Sequence, residues 1–115
     1  MIRLDLKREP YWLDLGYDVR LQVRPATTAL VMAARVAAIK EMQDTDDIGI
    51  RSAALIKNLA QLAVIGWEGI GDADGNPADL SSDGIAALMD LWPIANTFER
   101  QYLNPALLLE QEKNA

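Results

Sequence analysis

A chain of 115 residues, half of them hydrophobic and 6% aromatic, holds material for one mostly aliphatic core and little room for a second domain. It has no cysteine, which excludes a disulfide framework and thiolate metal sites, and no histidine, which removes the usual neutral-pH base and every Ser–His or Cys–His pair. The net charge of −6 is uneven: 1–43 carry seven basic and five acidic residues, 44–115 four basic and twelve acidic, so a phosphate backbone would find little to bind.

Ile2, Leu4 and Leu6 alternate with Arg3, Asp5 and Lys7, the period of a half-buried strand. This stretch has no apolar run of the kind a signal peptide needs. Tyr11 to Leu13 have strand-favouring side chains, Leu15 to Asp18 read as a turn, and Val19, Leu21 and Val23 alternate with Arg20, Gln22 and Arg24 up to Pro25. The first 25 residues therefore predict two or three antiparallel strands that helices must cover.

From Thr27 the period becomes helical, with Thr27 or Thr28 as cap and Leu30, Val31, Ala34, Ala37, Ala38 and Met42 on one stripe. Asp46 or Asp47 caps a second helix, about Ile48 to Ile65, whose expected inner side carries Ser52, Leu55, Ile56, Leu59, Leu62 and Ala63. These two helices are expected to form the cover of the sheet. The longest apolar-rich stretch, Leu59 to Trp67, is interrupted by Gln61 and is too short to span a bilayer. The 66–78 region, rich in Gly and Asp, predicts a small hairpin or a structured loop around the Asp74-Gly75 turn. Ser81 or Ser82 caps a third helix with Ile85, Leu88, Met89 and Trp92. Pro93 opens a fourth with Ile94, Phe98 and Tyr102 on one face, and Asn104-Pro105 opens a fifth over Leu107 to Lys113. The reading is one α+β domain over residues 1–115, a small N-terminal antiparallel sheet covered by four or five helices.

Little chemistry survives inspection. Ser52, Ser81 and Ser82 have no lysine three residues on, and the carboxylates lie scattered along polar faces. Asp72, Asp74, Asn76 and Asp83 fall at calcium-loop spacing, but Pro77 stands where that loop needs its turning Gly, so an Asp/Gly turn is the better reading. The glycines at 66, 69 and 71 lack the strand-to-helix framing of a phosphate cradle. Trp12, Trp67 and Trp92 read as core anchors rather than ligand platforms. Three successive leucines, Leu107 to Leu109, cannot all face one side of a helix, so one is exposed or meets a partner. The expectation is a soluble, cytoplasmic binding protein without enzymatic activity, cofactor, metal, small-molecule substrate, nucleic-acid or membrane contact. The charge asymmetry is either a set of solvated faces or a means of orienting a partner or head-to-tail copies of the chain.

One order of motifs is more specific. Ile65-Gly66-Trp67-Glu68-Gly69-Ile70, then Asp72-Ala73-Asp74-Gly75-Asn76-Pro77, the helix opened by Ser81-Ser82-Asp83, the Pro93 to Tyr102 segment and the closing Leu109-Glu110-Gln111-Glu112-Lys113-Asn114 together resemble the tail assembly chaperones of long-tailed bacteriophages and prophages. The resemblance runs over roughly Arg20 to Asn114, and the first strand adds little to it. It implies a protein that coats the tape measure protein, keeps its apolar helical segments soluble, recruits tail tube subunits and is absent from the mature virion. Many members of that family are made in two forms, the longer one by a ribosomal frameshift, and an ending at Glu-Lys-Asn-Ala is compatible with the short form. No catalytic residues come with the family. The competing expectation is a tail or head–tail joining component retained in the particle. Partner contact is expected at the helix Thr28 to Gln43 or at the C-terminal segment, with Phe98, Tyr102, Leu107, Leu108 and Leu109 as the contact residues.

Overall fold

Leu13, Leu15, Val19, Leu21 and Val23 all turn to one side of an antiparallel hairpin, as the alternation requires. The computed structural model describes residues 9–42 and 46–104. Strand β1, Tyr11–Gly16, pairs with β2, Val19–Val23, with Leu13 opposite Leu21. The hairpin turn puts Tyr17 (φ 55°) and Asp18 (φ 59°) in the left-handed region, as a two-residue type I′ connection demands. Tyrosine is a costly residue there, and its ring is 73% exposed. Tyr17→Asn is therefore expected to raise stability by about 0.5–1 kcal/mol, seen as a higher urea midpoint at unchanged slope. A lower midpoint would mean the ring contributes packing that its exposure hides.

Among the described residues the sheet has a third strand. It is β3, Val64–Glu68, paired antiparallel with β2 so that Arg20 faces Glu68 and Leu21 faces Trp67. The expected strand at Ile2 to Leu6 lies outside the described residues. On the outer face Arg20 donates to Glu68 at 3.0 Å and lies 4.7 Å from the Trp12 ring centroid, a half-exposed arrangement worth at most about 1 kcal/mol.

Helix α1, Thr28–Glu41, starts where the Thr27 hydroxyl accepts from the Leu30 N–H, and α2, Ile48–Ala63, where Asp47 accepts from Ile50. Helix α2 passes into β3 with no intervening loop, two residues earlier than the periodicity predicts, because Val64 and Ile65 are β-branched and β2 offers them a ladder. Its buried residues are Ala54, Ile56, Leu59, Ala60 and Ala63; Ser52 and Leu62, expected inside, are exposed. Ser81 caps α3, Ser82–Met89, through the Gly84 N–H. Pro93 sits in the first turn of α4, Trp92–Phe98, which continues into a π-helical stretch, Glu99–Leu103, where the Asn104 N–H reaches back to the Glu99 carbonyl.

The cover of the sheet is also shared differently from the expectation. Helix α1 rests on α2 and adds Ala34 to the core; α2, α3, α4 and the π-helical stretch supply the rest. Gln101 donates to the Asp14 carbonyl at 2.9 Å, tying the C-terminal helix to β1. The architecture is α+β, among the described residues a three-stranded antiparallel sheet with helices packed on it. The expected fifth helix, Leu107 to Lys113, lies outside the described residues. Among those described, no helix is long and apolar enough to cross a membrane.

Candidate functional site

The residues expected to touch a partner divide in two. Phe98 and Tyr102 are core residues, 0% and 2% exposed, with ring centroids 5.1 Å apart and nearly parallel planes. The Tyr102 hydroxyl donates to the Arg24 carbonyl at 2.6 Å, and burial, with Tyr11 nearby, pushes its phenol well above the ordinary value. Their assignment to partner contact is corrected: the i, i+4 apolar face of this segment is turned inward onto the sheet. Leu107, Leu108 and Leu109 lie outside the described residues.

The three tryptophans also separate. Trp67 packs against the core and donates from its indole N–H to the Ala78 carbonyl at 2.9 Å. Trp12 sits half out of the outer sheet face under Arg20, and Trp92 is 70% exposed, so neither anchors the core. In the 66–78 region the Asp72 carboxylate accepts from the backbone N–H groups of Asp74 and Asn76, both at 2.9 Å, and Gly71 bridges Pro77. That carboxylate folds its own turn. Among the described residues no group of three or more acidic side chains is placed to hold a metal ion, and no charged side chain is buried.

The unexplained surface is α1. Its inner side is the expected stripe, with Ala34 and Ala38 buried and Leu30, Val31 and Ala37 partly so. Its outer side is apolar as well: Met32, Val36 and Ile39 are 46%, 53% and 68% exposed at i, i+4 and i+7, and Ala29 and Ala33 lie beside them. A solvated helix ordinarily carries polar residues there; an all-round apolar helix is one that is covered on both sides. The charges on this outer face are Arg35 and Lys40, and among the described residues neither has an ion-pair partner. Glu41, at the end of the helix, is turned toward α2, where hydrogen bonds from Lys57 and then Asn58 hold its carboxyl below its usual value.

Beside the C-terminal half of α1 the surface becomes concave. A cleft of about 510 Å³ opens between α1 and α2, lined by Ala38, Ile39, Met42 and Leu55 with Arg35 and Arg51 among them. Arg51 is engaged by Asp46 at 3.4 Å. An apolar ridge running into an apolar cleft with guanidinium groups around it can seat a hydrophobic side chain of a partner. The sequence pointed to this helix without singling out Met32, Val36 or Ile39. The signal was present: removing the inner stripe from the helix leaves a second set of apolar residues at helical spacing.

Comparison with protein-family models, with curated proteins and with solved structures finds no match to this chain.

Proposed function

We propose that this domain is a tail assembly chaperone of a long-tailed phage or prophage, acting in the host cytoplasm to bind helical segments of the tape measure protein and to recruit tail tube subunits. The supporting observation is the outward face of α1, where Met32, Val36 and Ile39 stand exposed beside the α1–α2 cleft. An apolar ridge about two turns long suits a helix-in-groove partner, and long amphipathic helices are what such a chaperone must keep soluble. The order of motifs from Arg20 to Asn114 supports the same reading. The net charge of −6 keeps a protein that displays such a face in solution.

Co-expression with a tagged tape measure fragment or with tail tube protein should bring the full chain down with at least one of them. Val36→Asp should abolish this capture of the tape measure fragment without changing the melting temperature by more than a few degrees, because the side chain lies outside the core. Absence of capture with both proteins, or recovery of the chain in stoichiometric amounts from mature particles, would reject the proposal.

A further inference from the structure

The outward face of α1 is not only apolar; its charge is opposite in sign to that of the protein. In a chain of net charge −6, the charged residues on this face are both cations, Arg35 and Lys40. They flank the ridge: Arg35 stands beside the Met32–Ile39 edge, and Lys40 continues the Met32–Val36 row one turn on. Neither is neutralised by an ion pair within the described residues. Arg35 also lines the cleft that receives the ridge.

We infer that this face docks an amphipathic helix whose apolar stripe is flanked by acidic side chains, with one apolar side chain seated in the α1–α2 cleft beside Arg35. The inference rests on the helix-binding reading above and adds the chemistry of the partner. Ala29 and Ala33 let a partner backbone approach the N-terminal half of the ridge, while Met32, Val36 and Ile39 supply the apolar contact. Arg35 offers a planar fork that matches a carboxylate, and Lys40 a point charge at the far end. The general field of the protein opposes an acidic partner. Attraction therefore comes from charges within one Debye length of the docked helix, about 10 Å at moderate salt, where Arg35 and Lys40 are the local charges of this face.

That opposition makes the test sharp. Two synthetic helical peptides about 18 residues long share one Leu/Ala stripe, long enough to cover α1; one has Glu on both flanks and the other Lys. Net charge alone would favour the Lys-flanked peptide. The full chain should instead bind the Glu-flanked peptide about fivefold more tightly, measured by fluorescence anisotropy. The double variant Arg35→Glu/Lys40→Glu should reverse that preference, and Val36→Asp should lose both peptides. All three positions are exposed, and unchanged far-UV circular dichroism would confirm that the variants fold.

Equal binding of the two peptides, binding of neither, or a Glu preference that survives the double charge reversal overturns the inference. So does a change of sedimenting mass on Val36→Asp with no competition by peptide, which would assign the face to a second copy of the chain. Failure of tape measure capture beside intact Glu-peptide binding would remove the phage reading and leave this one standing. Tape measure capture unaffected by Arg35→Glu/Lys40→Glu would do the reverse.

Discussion

Phe98→Ala is expected to cost about 4 kcal/mol of folding stability. The ring is fully enclosed and stacks on Tyr102, so its removal forfeits the transfer energy of the largest ring buried by α4 and leaves a void beside a second aromatic. A domain of this size has roughly 5–15 kcal/mol in total, so the variant should remain folded in the cold and melt far earlier. Urea unfolding should show a lower midpoint with the slope retained. The contrast is Val36→Ala on the outer face of α1, where less than about 0.5 kcal/mol should be lost. If both substitutions cost the same small amount, Phe98 would not be the core residue described here.

Gly69→Ala should be nearly as damaging, by about 3 kcal/mol, for a different reason. Gly69 follows β3 with φ +83°, and a Cβ there would lie 1.9 Å from the Asp18 carbonyl oxygen, well inside van der Waals contact. The obstacle is backbone, and it belongs to a hairpin turn already held at positive φ, so it has little freedom to move aside. Gly75 is the control. It has the same φ of +83° but no heavy atom within 4 Å of the added Cβ, so Gly75→Ala should cost only about 1 kcal/mol. The difference in thermal midpoint between the two variants isolates the contact between the β1–β2 turn and the chain leaving β3. Equal effects would mean that this contact is absent in solution.

Local signals proved legible and tertiary choices did not. The alternation over Val19–Val23 and the oxygen-bearing caps Thr27, Asp47 and Ser81 are each a matter of neighbouring atoms, and each is present where the sequence put it or at one of the two alternatives. The boundary between α2 and β3 is not legible because Val64 and Ile65 extend an apolar run that periodicity cannot divide; only the ladder offered by β2 decides it. Phe98 and Tyr102 were recognised as one face of a helix, but an apolar face on a helix looks the same in sequence whether it meets the sheet or a partner. The inner stripe of α1 is legible for the same reason that its outer stripe is not: one amphipathic pattern accounts for the helix, and periodicity does not say where surplus apolar residues go. Trp92 shows the limit of composition as a guide, since a large aromatic ring stands mostly in solvent.

The direct passage of α2 into β3 has a mechanical consequence. Ala63 is the last helical residue, its carbonyl accepts from the Arg24 N–H at 2.9 Å, and Val64 already pairs with Val23. Helix and sheet are thus joined by a weld where most folds place a hinge. A tilt of α2 would have to reappear as twist in the central ladder, so the platform beneath α1 is stiff, and a guest chain landing there must do most of the adapting.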